Sequence, residues 1–437
     1  SLGLVGSEMC IRDRSDIYLM KLYATQKWYI AFYLRRNKMV ISKRLAAIPD
    51  SYFGKTMGRR VEHGPLPLIN MAVGIPDGET PEGIIEHFSE AIRIPENQKY
   101  GAFHGKESFK EAIVNFYQRQ YNVTLDKEDE VCILYGTKNG LVALPTCVVN
   151  PGENVLLPDP GYTDYLAGVM LADANPVPLN LDPPDYLPNW DNVDKRVLDN
   201  TTLVYLTYPN NPTGSTATKE VFDEAIERFK GTKTKIVHDF AYSAFGFDAK
   251  NPSILASEHG KDVAIEIFSL SKGYNMSGFR VGFAVGNKDM IQALKKYQTH
   301  TNAGMFGALQ DAATYALNHY DEFLEEQNET FKRRRDKFEA KLSEAHLPFV
   351  HSKGGIYSWL RTPPGYDSET FEQYLLKEKS ILVAPGIPFG ENGKHYVRIS
   401  LALDDKWLEE AASRLMDLAD MYKACLLYTS PSPRDRG

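Results

Sequence analysis

The stretch that decides the fold runs from Ser269 to Gly282 and reads S-L-S-K-G-Y-N-M-S-G-F-R-V-G. It begins where the apolar run Ile265–Leu270 ends, so Lys272 stands just beyond a predicted buried strand. A lysine amine can attack a carbonyl carbon, and Arg280 with two nearby serine hydroxyls suits a phosphate dianion. A lone lysine and arginine on a solvated loop would look the same, so the rest of the chain must decide between the two interpretations.

Outward from this stretch, short apolar runs alternate with longer segments of helical spacing. The runs predicted as buried strands are Val131–Tyr135, Asn154–Leu157, Leu203–Thr207, Ile236–Asp239, Ile265–Leu270 and Val281–Val285. Helical spacing is clearest in Glu107–Tyr121 and Lys219–Phe229. This alternation predicts an α/β fold with a largely parallel sheet covered by helices on both faces. The last two strands are too close in sequence for a helical crossover, so they are antiparallel or not adjacent.

The pattern changes after about residue 330 and predicts a smaller α+β domain. Its expected elements are a charged helix at Phe331–Ala345, strands near Gly355–Leu360 and Tyr396–Leu401, and a helix from Lys406 onward. We therefore expect a segment 39–75 that joins the small domain, a large domain 76–330 and a small domain 331–424. Residues 1–38 and 425–437 show no sustained period, and we treat them as non-native-looking or disordered tails.

Composition and charge exclude several classes of protein. The 437 residues are 43% hydrophobic and 24% charged, as in globular proteins, and the net charge of -7 argues against nucleic-acid binding. The spacing of Cys132 and Cys147 fits neither a disulfide framework nor a metal site, which favours a reducing, cytoplasmic setting. Polar residues interrupt the apolar stretch Ile17–Leu34, so no membrane segment is predicted.

The Ser269–Gly282 stretch resembles the lysine signature of the class I/II aminotransferases, which are fold type I enzymes dependent on pyridoxal 5'-phosphate. The matching positions are Ser269, Ser271, Lys272, Asn275, Met276, Gly278, Arg280 and Gly282. Further family motifs follow in order over roughly residues 45–420. The resemblance implies a large domain with a mostly parallel seven-stranded sheet covered by helices, a smaller α+β domain, and Lys272 as the residue that binds the cofactor covalently.

Two motifs at predicted strand ends resemble those that hold the cofactor ring. In Y-P-N-N-P-T-G, the resemblance assigns Asn211 to the phenolic oxygen, although this motif is also ordinary turn chemistry. In H-D-F-A-Y, it assigns Asp239 to the pyridine nitrogen and Tyr242 to the phenolic oxygen. A buried carboxylate there would keep the ring nitrogen protonated, so that the ring can accept electrons released at the substrate's Cα. An aspartate at a strand end could otherwise be a helix cap.

Three further motifs complete the cofactor site by resemblance. G-T-K-N-G assigns Gly136, Thr137 and Lys138 to the phosphate together with Ser269, Ser271 and Arg280, and amides at a helix start suit an anion. P-D-P-G-Y-T-D-Y assigns Tyr162 to stacking on the pyridine ring. K-Y-G-A-F-H-G assigns Tyr100 to the phosphate of a neighbouring subunit, which implies a homodimer with shared active sites.

Three residues are candidates for contact with substrate, and one of them is Asn211, which is also assigned to the phenolic oxygen. Arg398 in Y-V-R-I-S-L-A corresponds to the family's arginine for the α-carboxylate, a role that needs a bidentate cation. Gly74 in V-G-I-P-D-G-E-T-P belongs to a segment that resembles the one closing over the substrate, where a glycine allows close backbone approach.

The resemblance implies transfer of an amino group between an L-amino acid and a 2-oxo acid. A C–S β-lyase on the same fold and a non-catalytic, transaminase-like binding module are the alternatives. The motifs look most like the bacterial branch that includes aspartate and diaminopimelate aminotransferases. The donor stays open among aspartate, alanine, aromatic amino acids and LL-diaminopimelate, because Lys295, Lys296 and His300 offer cations for an acidic side chain but no arginine accompanies them.

Overall fold

The computed structural model describes residues 41–52, 54 and 61–423. The predicted tails 1–38 and 425–437 lie outside this range. Residues 41–50 belong to a separate unit, in which a short helix follows Ser42 and the Ser42 hydroxyl accepts the Leu45 N–H at 3.2 Å. All the elements described below, apart from that first helix, belong to the unit that begins at Ser51.

Fourteen strands and fifteen α-helices are present in the described residues. The strands are β1 Ile69–Asn70, β2 Val131–Leu134, β3 Asn154–Asp159, β4 Asn175–Asp182, β5 Leu187–Pro188, β6 Thr201–Thr207, β7 Lys235–Asp239, β8 Ala264–Ser269, β9 Gly282–Gly286, β10 Phe349–Val350, β11 Tyr357–Arg361, β12 Ile381–Leu382, β13 Ala384–Pro385 and β14 Tyr396–Ser400. The helices are α1 Lys43–Ala47, α2 Glu82–Ala91, α3 Glu107–Tyr121, α4 Thr137–Val148, α5 Tyr165–Leu171, α6 Lys195–Asp199, α7 Lys219–Phe229, α8 Gly260–Val263, α9 Leu270–Gly273, α10 Lys288–Thr301, α11 Gly307–His319, α12 Asp321–Glu344, α13 Ser368–Lys379, α14 Asp405–Met416 and α15 Ala419–Lys423.

The main sheet has the strand order β2-β9-β8-β7-β6-β3-β4-β5. Strands β8, β7, β6, β3 and β4 pair in parallel, whereas β9 is antiparallel to both of its neighbours. This confirms the largely parallel sheet and the antiparallel relation of the strands on either side of Lys272. The sheet has eight strands instead of seven because the two-residue β5 turns back to pair antiparallel with the end of β4.

Alternate residues of the central strands enter two different hydrophobic clusters, so both faces of the sheet are buried. In β6, Val204 and Leu206 belong to one cluster with residues of α3, α7 and α11, whereas Leu203 and Tyr205 belong to the other with residues of α4, α5 and α10. The predicted strand positions agree with the structure to within two residues at each end, and α3 and α7 have the predicted bounds.

A second, antiparallel sheet with the order β10-β11-β14-β13 forms the core of the carboxyl-terminal part. Strand β1 pairs in parallel with β12, and Ile69 and Met71 belong to the same hydrophobic cluster as the residues of the carboxyl-terminal sheet.

Helix α12 runs continuously across the predicted domain boundary at residues 330 and 331. The domain limits therefore stay a prediction. Among the described helices, none combines the length and apolar character needed to span a membrane.

Candidate active site

Three sequence motifs meet at one edge of the main sheet: Y-P-N-N-P-T-G after β6, H-D-F-A-Y at the end of β7 and the Ser269–Gly282 stretch at the end of β8. Parallel strands β6, β7 and β8 are neighbours, and Thr207 at the end of β6 pairs with Asp239 at the end of β7. Because their carboxyl ends lie at the same edge, the segments that follow them are brought together there. After β8, Ser269 caps the short helix α9 by accepting the Ser271 N–H at 3.1 Å, and this turn carries Lys272.

Lys272 is a lysine with weakened basicity. Its Nζ donates a hydrogen bond to the backbone oxygen of Gly74, so the amine lies under the segment predicted to cover the substrate. Burial, together with the smaller effect of the positive charges of Arg398 and Arg280, lowers the pKa of Lys272 to about 8. A larger fraction of the amine is therefore neutral near physiological pH, and the neutral amine is the nucleophilic form.

Asp239 is a buried carboxylate. It accepts hydrogen bonds from the Tyr165 hydroxyl at 2.7 Å and from the Ala241 N–H at 3.2 Å. Burial raises the pKa of Asp239, while these two hydrogen bonds and the nearby His238 lower it. A carboxylate in this state gains from a cationic partner such as a protonated ring nitrogen. Tyr165 was not predicted, although it belongs to the same motif as Tyr162.

Tyr242 and Tyr357 form a pair of buried phenols whose hydroxyl oxygens are 2.8 Å apart. Tyr357 was missed in the sequence because it lies 115 residues from Tyr242. A Cβ atom on Gly74 would overlap the Tyr357 hydroxyl. Glycine is therefore required at position 74 by close packing against Tyr357, while the approach of this segment to substrate stays a prediction.

Arg398 is a fully buried arginine on β14. Its Nη1 donates to Asn211 Oδ1 at 2.8 Å and its Nη2 donates to the Ala72 oxygen at 2.7 Å. The guanidinium carbon lies 4.1 Å from the ring centre of Tyr357 and 4.9 Å from that of Phe389. These contacts fix the plane of the guanidinium and bring Arg398, assigned by resemblance to the substrate's α-carboxylate, next to Asn211, assigned to the cofactor's phenolic oxygen.

Gly136, Thr137 and Arg280 lie together at the start of helix α4. Gly136 has a φ of +78°, and a Cβ atom there would lie 2.5 Å from Nη2 of Arg280. The exposed Arg280 guanidinium also donates from Nη1 to the Ser277 oxygen at 2.9 Å. The start of this twelve-residue helix, with an arginine beside it, favours the binding of a dianion such as phosphate.

The remaining predicted residues differ in their surroundings. Nζ of Lys138 forms a 2.6 Å ion pair with Asp164, so its side chain is already engaged, while its amide still belongs to the first turn of α4. Tyr162 is half-buried, with its ring centre 5.5 Å from that of Tyr165. The Tyr100 side chain is 91% exposed.

The segment that carries Gly74 is held from two sides. Asp77 accepts a bidentate hydrogen bond from Arg334 at 2.6 and 2.8 Å. Asn275, from the lysine signature, accepts the Thr80 hydroxyl at its backbone oxygen and donates its amide to the Glu79 oxygen. The sequence did not indicate Arg334, because its partner is 257 residues away.

Comparison with known proteins decides the family. A family model described as aminotransferase class I and II matches residues 67–415. The chain belongs to this family. An LL-diaminopimelate aminotransferase of Aquifex aeolicus is 38% identical over 383 residues, 86% of this chain and 98% of that protein. This aminotransferase is also similar to a solved aminotransferase structure from Staphylococcus aureus, with 81% identity, a TM-score of 0.86, and coverage of 87% of this chain and 100% of that one.

A second relative carries a different substrate name. The L-glutamine–4-(methylsulfanyl)-2-oxobutanoate aminotransferase of Bacillus subtilis is 42% identical over 377 residues, which cover 85% of this chain and 94% of that protein. The expected fold and the expected transfer of an amino group are thereby confirmed. Members of this family depend on pyridoxal phosphate.

Proposed function

We propose that this aminotransferase binds pyridoxal 5'-phosphate through Lys272 and transfers an amino group between a neutral L-amino acid and a 2-oxo acid. The observation that carries the proposal is the state of Lys272, a half-buried lysine with its pKa lowered to about 8 at the edge where the motif residues meet. Such an amine is able to form the covalent link at neutral pH.

The residues around Lys272 fit this cofactor in both charge and shape. The Gly136–Arg280 cradle, with Thr137, the Lys138 amide, Ser269 and Ser271, suits the phosphate. Tyr162 would stack on the ring, and Asn211 and Tyr242 would hold its phenolic oxygen. We leave out the Lys138 amine because Asp164 engages it at 2.6 Å.

The chemical steps fall to three residues. When bound, the cofactor ring accepts the electron pair released at the substrate's Cα. Asp239 would hold the proton on the ring nitrogen, because its burial makes an unpaired carboxylate costly. The Lys272 amine, once released, would move the proton between Cα and C4'. Gly74 and Tyr357 pack closely above this amine and would exclude water from it.

Arg398 would bind the α-carboxylate of the substrate. Its guanidinium plane is fixed by Asn211, Ala72 and the Tyr357 ring before substrate arrives, so little conformational entropy is lost on binding. The same arrangement serves the amino acid and the 2-oxo acid, since both carry this carboxylate.

We propose a neutral side chain on the donor for two reasons. The Bacillus subtilis relative is named for glutamine and a thioether oxo acid. In addition, an acidic side chain would need a second cation, and the Nζ of Lys295 is engaged by the Glu128 backbone oxygen. Lys296 and His300 lie exposed on helix α10.

We also propose a homodimer in which Tyr100 reaches the phosphate of the other subunit. Tyr100 and Phe103 are aromatic side chains with 91% and 53% exposure, and Phe306 is 40% exposed. Burial of such side chains between two copies would remove apolar surface from water.

A donor panel tests the function. Glutamine, methionine, aspartate and LL-diaminopimelate are each incubated with 2-oxo acids, and new amino acids are quantified, with pyruvate, ammonia and the released thiol measured from a cystathionine-type substrate. We expect transfer from glutamine or methionine at the highest kcat/KM. A dominant aspartate activity would refute the neutral donor, and sulfide or thiol release without amino transfer would favour the β-lyase.

A further inference from the structure

His238 and Glu266 form a fully buried ionisable pair that the proposed chemistry does not use. His238 directly precedes Asp239 in β7, and Glu266 lies on the neighbouring strand β8 with His238 as its register partner. Adjacent side chains of a strand point to opposite faces, so His238 lies on the face of the sheet opposite Asp239. The Phe222 and Phe240 rings flank it, each with its centre 4.8 Å from the imidazole.

Both ring nitrogens of His238 face oxygen atoms. Nδ1 is 2.8 Å from Glu266 Oε2, and Nε2 is 3.1 Å from the backbone oxygen of Tyr208. A backbone oxygen can only accept, so Nε2 carries a hydrogen. The state of Nδ1 then depends on whether Glu266 is ionised.

Glu266 has the surroundings of a carboxylate. Besides His238, it accepts the Tyr117 hydroxyl at 2.8 Å, the Ser253 hydroxyl at 2.8 Å and the Ile254 N–H at 3.0 Å. The Ser253 oxygen itself accepts the Leu255 N–H, which leaves the serine hydrogen for Glu266. Several donors to one carboxyl group favour its ionised form, so Nδ1 of His238 also donates.

The other titratable groups near the pair are the phenols of Tyr117 and Tyr121 and the carboxylate of Asp239. Glu266 raises the pKa of both phenols, which keeps them neutral, although burial is the larger cause. Burial raises the pKa of Asp239, and the hydrogen bonds from Tyr165 and Ala241, followed by the charge of His238, lower it.

We propose that His238 is an imidazolium held by Glu266, and that this positioning residue keeps Asp239 ionised for the cofactor's ring nitrogen. The part concerning the cofactor rests on the proposed function. His238 also donates to the backbone oxygen of Tyr208, three residues before Asn211, and so the pair links the ends of β6 and β7 to the middle of β8.

Neutron diffraction on the cofactor-free protein, exchanged into deuterium oxide near neutral pD, tests the charge directly. We expect deuterium on both Nδ1 and Nε2 of His238 and none on Glu266. Deuterium on one ring nitrogen alone would overturn the proposal. This measurement needs no variant and no bound cofactor, so its outcome is separate from that of the proposed function.

A pair of variants tests the link to Asp239. Glu266→Gln removes the carboxylate that holds the imidazolium, whereas the control Tyr117→Phe removes one hydrogen bond and leaves the charge. We expect Glu266→Gln to weaken pyridoxal phosphate binding by about tenfold and to shift the pH titration of the cofactor absorbance, with the control near wild type in both. Equal effects of the two variants would show a purely structural role and overturn the proposal. Failure of the wild-type protein to bind pyridoxal phosphate would instead refute the proposed function.

Discussion

The site contains two cationic side chains whose surroundings differ, since Lys272 is half-buried and Arg398 is fully buried. The Lys272 amine donates to the Gly74 oxygen, and burial with two nearby positive charges lowers its pKa to about 8. The Arg398 guanidinium has Asn211 and Ala72 as acceptors and an aromatic face at 4.1 Å. An amine can lose its proton readily, whereas a guanidinium keeps it in proteins. The comparison teaches that burial alone does not determine the role of a cation, because the side-chain type decides whether burial produces a nucleophile or a permanent anchor.

Replacement of Lys272 has the largest expected effect. Lys272→Ala should abolish turnover and the covalent cofactor link, because the side chain that supplies the amine is gone. Lys295→Met is a matched control, since burial also lowers the pKa of Lys295 but its amine is bound to the Glu128 oxygen. Borohydride reduction followed by peptide mapping checks both variants. A trapped adduct at a different lysine in Lys272→Ala would show that the nucleophile is assigned wrongly.

Asp239 provides the negative charge that complements these cations. Asp239→Asn should fold normally and lose several orders of magnitude in kcat, because an amide does not hold a proton on the ring nitrogen. Tyr165→Phe, which removes one hydrogen bond to Asp239 but leaves the charge, serves as the milder comparison. Single-turnover kinetics measure the effect. Near-normal rates in Asp239→Asn would break the assignment.

If Arg398 anchors the substrate's carboxylate, its replacement by lysine should weaken substrate binding. Arg398→Lys keeps the charge but loses the bidentate geometry, so kcat/KM should fall by about a hundredfold, mainly through KM. Arg414→Lys replaces another buried arginine that bonds to the Pro67 and Lys379 oxygens, and it should leave KM unchanged. An Arg398→Lys variant with wild-type KM would mean that the carboxylate binds elsewhere.

A shared site predicts a smaller effect at Tyr100. Tyr100→Phe should weaken cofactor binding by roughly tenfold through loss of one charge-assisted hydrogen bond, without unfolding. Complementation sharpens the test, with a Tyr100→Phe/Gly101→Trp chain mixed with a Lys272→Ala chain. Hybrid dimers should regain activity, because one of their two sites carries neither lesion. No recovery in verified hybrids would indicate that each site is built within one chain.

The titration of Lys272 gives the smallest expected change. Its pKa is lowered, so the neutral amine predominates above about pH 8, and the rate of covalent cofactor attachment should rise with pH through that region. Arg398→Gln removes a positive charge that lowers this pKa, so the midpoint should move to higher pH by less than about one unit. Stopped-flow absorbance measures the midpoint, with Arg414→Gln as the control. A midpoint that moves to lower pH in Arg398→Gln would contradict this electrostatic account.

The sequence alone determined most of the main sheet and the residues at its edge. The apolar runs, visible within five or six residues, predicted the strands that carry or adjoin Lys272, Asp239 and Gly136, and the resemblance to aminotransferases supplied their expected roles. Hydrophobic alternation and turn chemistry are local signals, and burial on both faces of a parallel sheet makes the runs continuous. The lysine signature added a recognisable spacing of hydroxyl, amine and guanidinium groups.

Tertiary structure decided the partners of those residues. The Tyr242–Tyr357 pair, the Lys138–Asp164 ion pair, the Arg334–Asp77 contact and the buried His238–Glu266 pair join residues 26 to 257 positions apart. From the sequence alone, each of these side chains could equally be a solvated charge or an aromatic residue of the core. Neighbouring strands bring His238 beside Glu266, and the packing of α12 and β11 brings Arg334 and Tyr357 to the site. The sequence does not reveal these contacts, because hydrogen bonds and ion pairs depend on distances of a few ångströms between residues that are far apart in the chain.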